Sequence, residues 1–517
     1  MTSSGDLRVL AGGRFPTVAD GEAPVDAIVL ADGRIAALGR WSELRATLPP
    51  GVPTLDLGGS TVLPGLGDAH VHLTATGFLE SAIDATGASD LPALLARVRR
   101  ATADTPQGEL VLGLRVDPDA LAEGRPPSRA ELDAVAPHHP VYLRHVTGHA
   151  SYANGAALRR LEAFPGMTGV EVDDEGTPTG HLTGPATQAA THGAYAAFSR
   201  QVGYESAFHA AAARAARNGC TTVHALDDLD AVRTLLAVED DLPVRTVAYP
   251  QTFDLDSVRA LGLRRIGGCH ACALDGDVDV RTAALLEGYA DDAAEFGSLY
   301  HNDASLSGFV LAAHHAGLQI AFHAVGDRAV DQALRMYEAA QASISRPDAR
   351  HRIEHAQLMA ADHPARVRAV GAVVSLQPAF NHVWPHETYL GSLGPDRAQR
   401  VDPLRSLRAG GVALAGGSDS TVTALAPLLG VHAAVNHSRE EERLSVAEAL
   451  SLFTHGVAYG AHHEDRRGRV AIGFDADLTI VDRDPFTVDP SELADLQVRG
   501  TVVRGEVVHG LGRPALE

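Results

Sequence analysis

The sequence contains no lysine, because all 43 of its Lys and Arg residues are arginine. This absence excludes mechanisms that need a lysine amine: Schiff bases, the phosphate lysine of a P-loop, a lysine general base, and a carbamylated lysine that bridges two metal ions. Cysteine is nearly absent as well, since only Cys220, Cys269 and Cys272 occur among 517 residues. So few cysteines exclude a disulfide framework and leave either small buried side chains or a reactive site.

Long apolar runs and clustered positive charge are also lacking. No run of about 18 apolar residues occurs, and the start of the chain lacks a basic segment followed by an apolar one, so we expect a cytoplasmic protein without membrane spans. The net charge of -22 and the scattered arginines argue against binding to nucleic acid or anionic lipid. With 45% hydrophobic and 21% charged residues, the composition is ordinary for a soluble enzyme. We expect its substrate to be a small molecule.

The two ends of the chain carry the pattern of short β-strands separated by glycine-containing turns. Residues 1–60 include the hairpin signal Asp32-Gly33, and residues 465–517 show the same alternation. Because so short a sheet buries little surface alone, we expect the two segments to form one composite β-sandwich domain.

The middle of the chain, residues 61–464, alternates apolar strand-like runs with helical stretches, which is typical of a parallel α/β fold. Eight strand candidates occur, and eight strands close a TIM-like (β/α)8 barrel. They are residues 61–72, 220–226, 243–250, 265–274, 318–326, 351–357, 371–378 and 411–419. The first two are separated by about 145 residues, too many for one loop, so residues 80–215 are predicted to form an inserted subdomain or lid.

Histidine and aspartate residues follow the strand candidates at one predicted rim. His70 and His72 are two residues apart on the first strand and therefore point to the same side. Three further strand candidates end with side chains of the same kind, at His323, His355 and Asp419. Active sites lie at the carboxyl ends of barrel strands, so we expect these five side chains to converge there.

This set of five suits a divalent metal ion with an open coordination position, with zinc the first choice and iron or manganese the alternatives. Such a site lowers the pKa of a bound water from about 15.7 toward 7. Asp419 would act as the general base that accepts the proton of this water. The competing hypothesis is that strand-end histidines only make structural hydrogen bonds, because the chain contains 26 histidines.

The motifs VLPGLGDAHVHL, AFHAVGDRAVDQAL, HRIEHAQL, GGSDSTVTALAPLLG and GRVAIGFDADLTIVDRDPF resemble the amidohydrolase superfamily, in particular its YtcJ-like branch, which includes N-substituted formamide deformylases. The resemblance extends over about residues 5–510. It implies a metal-dependent hydrolase barrel with a split β-sandwich. By similarity, His70, His72, His323 and His355 are metal ligands, Asp419 is both ligand and base, and the catalytic pair is Asp419 with His355.

The fourth strand departs from this resemblance. Similar proteins carry a lysine near this point, whereas the stretch here is RIGGCHACALDGDVDVRTAALL, and no carbamylated lysine can form. Cys269 is the favoured replacement ligand, since zinc binds and deprotonates a thiol. Cys272 and His270 are alternatives on the opposite face of the strand, unless a bulge changes the alternation. A site with one ion and no ligand from this strand also stays open, so one or two ions are expected.

The sequence-based hypothesis is hydrolysis of a carbon–nitrogen bond in a small amide, formamide or cyclic amide. Substrate contacts are predicted for His149, Arg281 and Trp384, with a loop-capping role as the alternative for His149. One rival is the same metal barrel with a non-hydrolytic reaction, such as C–C cleavage, decarboxylation or isomerisation. The other is a non-catalytic ligand-binding barrel. A homodimer is an expectation from similar enzymes.

Overall fold

The computed structural model describes residues 7–16, 25–164 and 166–511. Its strands, in chain order, are β1 (Arg8–Ala11), β2 (Ala27–Ala31), β3 (Arg34–Gly39), β4 (Thr54–Asp56), β5 (Thr61–Pro64), β6 (Leu66–Val71), β7 (Ile83–Asp84), β8 (Val111–Val116), β9 (Val141–His145), β10 (Ala150–Ala153), β11 (Val170–Val172), β12 (Pro178–Thr183), β13 (Cys220–Asp227), β14 (Arg245–Pro250), β15 (Arg265–Ala273), β16 (Gln319–Ala324), β17 (Arg352–His355), β18 (Val373–Leu376), β19 (Ala413–Gly416), β20 (Leu478–Val481), β21 (Val498–Val503) and β22 (Glu506–Gly510).

The α-helices alternate with these strands through the middle of the chain. They are α1 (Trp41–Leu44), α2 (Leu73–Phe78), α3 (Leu91–Asp104), α4 (Arg129–Val135), α5 (Gly155–Arg160), α6 (Gly184–Val202), α7 (Tyr204–Arg217), α8 (Leu229–Val238), α9 (Leu255–Ala260), α10 (Asp303–His315), α11 (Asp327–Ser343), α12 (His363–Val370), α13 (Pro378–Val383), α14 (Leu390–Ala398), α15 (Leu404–Ala409), α16 (Pro427–Val435), α17 (Val446–Phe453) and α18 (His455–Gly460). Short 3-10 helices cover Pro118–Ala120, Glu239–Asp241, His386–Tyr389, Glu440–Glu442 and Pro490–Asp495.

Strands from the two ends of the chain lie together. One sheet has the order β3-β2-β1-β4, and a second sheet has the order β22-β21-β20-β5. Both contribute to one apolar core, in which Leu10 and Ile28 of the first sheet meet Ile480 and Val502 of the second. The hairpin between β2 and β3 turns at residues 32 and 33, where φ is 51° and 72°. Asp and Gly tolerate this left-handed conformation, as type I′ turns require.

Eight parallel strands carry the central part of the molecule, in two sheets of order β14-β13-β6 and β15-β16-β17-β18-β19. Each sheet alternates with helices that cover its outer side. A parallel bridge between Val71 and Ser420 brings the ends of β6 and β19 together. At the other junction, Tyr249 of β14 and Cys269 of β15 share a buried cluster. Within the described ranges the ladders themselves are not continuous around all eight strands.

The first strand candidate, residues 61–72, is divided in the structure. Thr61–Pro64 pairs antiparallel with β20 of the terminal sheet, whereas Leu66–Val71 pairs with β13. The division falls at Gly65, where an added Cβ would lie 2.4 Å from the Thr221 hydroxyl. Only glycine lets the backbone approach this closely, so the chain leaves one sheet and enters the other at this residue.

A further sheet belongs to the chain between β6 and β13, with the order β11-β12-β10-β9-β8-β7. Helices α3 and α4 pack on one apolar side of it, in a cluster that includes Leu94 and Leu132. The helices α6 and α7 lead from this sheet back to β13. In the part of the chain that the structure describes, no helix has both the length and the apolarity needed to cross a bilayer.

Candidate metal centre

Six side chains of the types that bind metal ions meet at the carboxyl ends of the parallel strands. His70 and His72 come from the end of β6, Cys269 from β15, His323 from β16 and His355 from β17, and Asp419 follows β19. All six are buried. His355 and Asp419 have φ of 73° and 53°, a backbone conformation that costs free energy in non-glycine residues and is concentrated at functional sites.

The Cys269 sulfur lies between three imidazoles. Its Sγ is 3.4 Å from His70 Nε2, 3.8 Å from His323 Nδ1 and 3.9 Å from His355 Nε2. The donor atoms of His70, Cys269 and His355 lie within 4.8 Å of one another. This spacing allows a nitrogen, a sulfur and a second nitrogen to face one common point.

Asp419 forms a second group of donors with the two histidines of β6. Its Oδ1 lies 3.1 Å from His72 Nε2 and 3.4 Å from His70 Nε2. The three donor atoms are again within 4.8 Å of one another. Among the described residues, however, this buried Oδ1 has no hydrogen bond of acceptable geometry. The atoms are therefore close without being directed at each other, and His70 belongs to both groups.

The remaining nitrogen of each imidazole is held by another group. These contacts are His70 Nδ1 with Glu354 Oε2 at 2.8 Å, His72 Nδ1 with the Leu226 carbonyl at 3.1 Å, His323 Nε2 with the Gly276 carbonyl at 3.0 Å and His355 Nδ1 with Gln377 Oε1 at 2.7 Å. Each partner is an acceptor, so each ring donates an N–H outward and, in its neutral form, presents the lone pair of its other nitrogen to the cluster. Metal-ligating histidines are oriented in this way.

The cluster also stabilises negative charge. Burial by itself raises the pKa of the Cys269 thiol, but the charge of His70 and the hydrogen bonds of His323 and His355 outweigh it, so that the pKa lies well below its usual value. Burial also opposes ionisation of Asp419, and the two histidines of β6 more than offset it, which lowers the pKa of this carboxyl. Thiolate and carboxylate thus face the same buried space.

Behind His70, a buried arginine supports the carboxylate that holds the ring. Arg352 donates two hydrogen bonds to Glu354, of 2.7 and 2.8 Å, and a third of 2.7 Å to the carbonyl of Ala69. Burial opposes the charge of Glu354, but Arg352 and His70 together lower its pKa to about 2. Sequence analysis did not select Glu354 or Arg352, although both lie in the HRIEH motif at alternate positions of β17.

The three candidate ligands of the fourth strand, Cys269, His270 and Cys272, lie on β15 and have different surroundings. Its pairing with β16 shifts register between Gly268 and Ala273, so the strict alternation of faces does not hold here. Cys269 faces the histidines. Cys272 is buried elsewhere, with its Sγ 3.4 Å from the Thr252 carbonyl. His270 turns away from the cluster through a φ of 46° and stacks on the outer side of His72, with ring centroids 5.1 Å apart.

A narrow cavity opens on the cluster. Its wall includes Asp419, His323 and His355 together with the predicted substrate residues His149 and Trp384. The His149 ring lies 4.7 Å from that of His323, and its buried Nδ1 has no hydrogen-bond partner in the described residues. Burial and the neighbouring His323 hold the pKa of His149 well below its usual value, so the ring is neutral near pH 7.

Arg281 is not brought to this cavity. Its guanidinium forms an ion pair with Asp291 and lies 5.2 Å from the Tyr289 ring centre. Besides Asp419, the cavity wall carries two further carboxyl groups, Asp277 and Asp279, which sequence analysis missed. Burial raises the pKa of both, that of Asp279 to about 6. The only sequence signal for them was their position after the fourth strand, where loops line active sites.

Known proteins are similar to this chain in sequence and in architecture. The model of the amidohydrolase family matches residues 54–509. Putative amidohydrolase YtcJ of Bacillus subtilis (strain 168) is 27% identical over 96% of this chain and 98% of its own length. N-substituted formamide deformylase of Arthrobacter pascens is 26% identical over 98% of both chains.

A solved structure is similar over nearly the whole fold. An uncharacterized metal-dependent hydrolase from Pyrococcus horikoshii OT3 has a TM-score of 0.76 and 26% sequence identity, covering 94% of this chain and 99% of its own. The family match covers most of the chain and includes every member of the buried cluster. The chain therefore belongs to the amidohydrolase family, in the YtcJ-like branch, and is a metal-dependent hydrolase of the class that acts on carbon–nitrogen bonds other than peptide bonds.

Proposed function

We propose that this enzyme hydrolyses the carbon–nitrogen bond of a small amide, formamide or cyclic amide at the buried cluster. The observation that carries the proposal is the unpartnered Oδ1 of Asp419, which faces two imidazole nitrogens in a buried site. A buried carboxylate oxygen without a well-directed hydrogen bond is costly, whereas a cation among these donors would satisfy it. The similarity to N-substituted formamide deformylase supports the choice of bond.

The donor set fits a divalent cation, with zinc the first choice. Imidazole nitrogen, thiolate sulfur and carboxylate oxygen are the three ligand types that zinc binds. His70, His72 and Asp419 would hold one ion, and Cys269, His323 and His355 would hold a second. Cys269 would then occupy the place of a bridging ligand, because its sulfur approaches both groups of histidines.

A bound divalent ion supplies Lewis-acid activation of water and of the scissile carbonyl. Asp419 Oδ1 accepts the proton of the attacking water and returns it to the nitrogen of the leaving amine, so the carboxylate is regenerated in each turnover. His149 is neutral and has no partner at Nδ1 among the residues that the structure describes, and it would hydrogen-bond the carbonyl oxygen of the substrate. Trp384 provides an apolar wall for the substituent.

We further propose that the two parallel sheets are one (β/α)8 barrel. The bridge between Val71 and Ser420 supports closure at one junction, and the shared cluster of Tyr249 and Cys269 supports it at the other. The proposed boundaries are residues 61–464 for the barrel, 80–215 for the insertion, and 1–60 with 465–517 for the composite β-sandwich. Thr61–Pro64 is the exception, because it pairs with β20 and so moves from the barrel to the sandwich.

The test is turnover of a panel of formamides, acetamides and cyclic amides in oxygen-18 water. Hydrolysis must place one solvent oxygen in the acid product, whereas decarboxylation, isomerisation or C–C cleavage would not produce a labelled acid with release of an amine. Asp419→Asn should abolish labelling while retaining most of the bound metal, and His70→Ala should lose both. The proposal fails if both variants keep wild-type turnover and metal content.

A further inference from the structure

An apolar pocket adjoins the narrow cavity at the metal centre. It lies between the segment that joins β6 to β13 and the parts of the chain that follow β18 and β19, and its volume is about 330 Å³. A pocket of this size suits a small organic group. Its apolar wall residues come from both parts of the chain and include Ala88, Leu94, Val116, Leu121, Val383 and Leu429. The pocket therefore exists only where the two parts pack together.

The apolar pocket and the narrow cavity share their walls in three places. Trp384 and Val422 line both of them. Val146 lines the pocket, and the next residue, Thr147, lines the cavity. The Val422 N–H also donates to the carbonyl of Asp419 at 2.7 Å, so the pocket wall begins within one turn of the proposed base. The two spaces therefore meet beside Asp419.

A row of three rings leads from the metal centre to the apolar pocket. The Phe380 ring stacks on that of His355, with ring centroids 6.1 Å apart. The Trp384 ring in turn packs edge to face on Phe380, with ring centroids 5.6 Å apart. Aromatic side chains offer a large apolar contact area to hydrocarbon. A substrate bound beside His355 thus has a continuous apolar surface on the way to the pocket.

The two charged side chains of the pocket wall, Arg115 and Asp117, have partners of their own. Arg115 lies 3.5 Å from the carboxylate of Asp84. Asp117 accepts from two backbone N–H groups of the turn that follows it, at 3.1 and 3.4 Å. The two charges are opposite in sign, so the wall carries no net charge. A charged group would lose hydration here without gaining a free counter-charge, and the pocket favours an uncharged apolar group.

The position of Asp419 decides which end of the substrate faces the apolar pocket. In the proposed reaction Asp419 returns a proton to the nitrogen of the leaving amine, so this nitrogen lies beside it. Val422 of the pocket wall is held to Asp419 by a backbone hydrogen bond. The substituent on the nitrogen is therefore the part of the substrate that is nearest to the pocket.

We propose that the apolar pocket binds the substituent of the leaving amine, and that the substrates are amides whose nitrogen carries an uncharged alkyl chain of several carbons. The inference rests on the proposed hydrolysis and adds to it a substrate class and the wall that selects it. Ala88, Leu94 and Leu121 belong to the segment between β6 and β13. This segment, rather than the metal centre, then selects the substrate by the length of its chain.

The probes are N-alkylformamides, from N-methylformamide to N-hexylformamide. Equilibrium dialysis against the full-length, metal-loaded Asp419→Asn enzyme measures their binding without turnover. Each added methylene should tighten binding by about fourfold until the pocket is full, because each leaves water for an apolar wall. In the wild type, kcat/KM for the same series should rise with chain length in the same way.

Ala120→Trp, added to Asp419→Asn, locates the bound chain. Ala120 is an exposed residue of the pocket wall, so a larger side chain fills the pocket without entering the core. The ratio of N-hexylformamide to N-methylformamide affinity should fall by about tenfold or more, since two or more methylenes lose their burial. Ala339→Trp, at an exposed position of α11 outside the pocket, is the matched control and should keep the full ratio. Metal content and unfolding midpoints verify that both variants fold.

No dependence of binding on chain length would overturn the proposal, as would an equal dependence in Ala120→Trp and Ala339→Trp. A dependence that appears only when the acyl side is lengthened, as in N-methylhexanamide, would also overturn it, because the acyl group would then occupy the pocket. Failure of the proposed hydrolysis gives a different result. The N-alkylformamides would bind with the expected dependence, but the wild type would release no formate and no amine from them.

Discussion

The orientation of His70 depends on a chain of three buried side chains. Arg352 holds Glu354 through two hydrogen bonds, and Glu354 holds His70 Nδ1 at 2.8 Å. The carboxylate therefore keeps the hydrogen of the imidazole on Nδ1 and leaves Nε2 free as a ligand. Groups that position ligands in this way affect metal affinity almost as strongly as the ligands themselves.

Glu354→Gln should lower metal affinity by about 10- to 100-fold, because an amide is a weaker acceptor for His70 and leaves Arg352 without its counter-charge. Competition with a chromophoric chelator measures the affinity. Glu338→Gln is the matched control, since Glu338 also accepts two hydrogen bonds from an arginine, Arg366, but contacts no histidine of the cluster. Equal affinities for the two variants would contradict this role of Glu354.

Replacement of each of the two cysteines of β15 by serine should affect the metal content differently. Cys269→Ser replaces a thiolate that faces three imidazoles with a poorer zinc ligand, so metal content should fall from two ions per chain toward one. Cys272→Ser changes a sulfur that contacts only the Thr252 carbonyl and should leave the metal content unchanged. Elemental analysis of both purified variants gives the result. One ion per chain in the wild type and in both variants would rule out a bridging thiolate.

For single residues, the sequence predicts the position of a side chain well when the residue lies on a strand and poorly when it lies in a loop. His70 and His72 were predictable because alternate residues of a strand share a face. Sequence analysis favoured Cys269 over His270 and Cys272, and Cys269 is the one that lies beside the histidines. The register shift between Gly268 and Ala273 was not visible in the sequence. Arg281 lies in a loop whose path the sequence does not specify, and its partner Asp291 is ten residues away.

At the scale of elements, two helices, α2 and α7, connect the inserted segment to β6 and β13 of the parallel sheet. Helix α2 begins immediately after His72, and it packs against α7, which precedes β13. The contact is close at Gly77, where an added Cβ would lie 2.0 Å from the Ala207 carbonyl oxygen. Both helices are rigid elements, so this contact has little room to adjust.

Gly77→Ala should destabilise the protein by about 1–3 kcal/mol, because the methyl group would meet backbone rather than a movable side chain. Gly308→Ala in α10 is the control, since an added Cβ there has nothing within 4 Å. In a helix, that change should be neutral or stabilising by up to about 1 kcal/mol. Urea unfolding of both variants measures the difference. Equal free energies of unfolding for the two variants would contradict a close contact between α2 and α7.

All eight strand candidates of the central region were predictable from their apolar runs, and their ends were predictable to within a few residues. The pairing of Thr61–Pro64 with β20 was not, because Thr61–Val71 reads as one apolar run. Only the close approach of Gly65 to Thr221, a contact between distant parts of the chain, shows where that run divides. The packing of α6 against β15 likewise joins distant parts of the chain, which no local pattern contains.

At the scale of the whole molecule, the metal centre joins strands from both parallel sheets. His70 and His72 come from one sheet, and Cys269, His323 and His355 come from the other. An ion bound among them would therefore add a link between two sheets that also meet through hydrogen bonds, such as those of Arg352 with the Ala69 carbonyl and of Glu354 with His70. A ligand that binds only the folded state raises the free energy of unfolding, and the gain grows with the logarithm of the ligand concentration divided by its dissociation constant.

Removal of metal with a chelator should lower the midpoint of thermal unfolding. An ion at 100 times its dissociation constant contributes about 2.7 kcal/mol. His70→Ala should show little response to the chelator, whereas Cys272→Ser should respond like the wild type. Calorimetry with and without chelator, beside elemental analysis of the same samples, makes the comparison. An unchanged midpoint after verified loss of metal would contradict a linking role for the ion.

The pairing of β5 with β20 also sets the order in which the molecule can be completed during translation. At about 5–20 residues per second, roughly 20–80 s pass between synthesis of β5 and synthesis of its partner about 400 residues later. Throughout that interval the apolar face formed by Leu10, Ile28 and Val62 has no opposing sheet, since Leu478, Ile480 and Val502 do not yet exist. Until β20 is synthesised, the nascent chain therefore exposes this apolar surface to solvent. A chain whose synthesis stops before residue 478 keeps the surface exposed, and chaperones and proteases recognise it as unfolded.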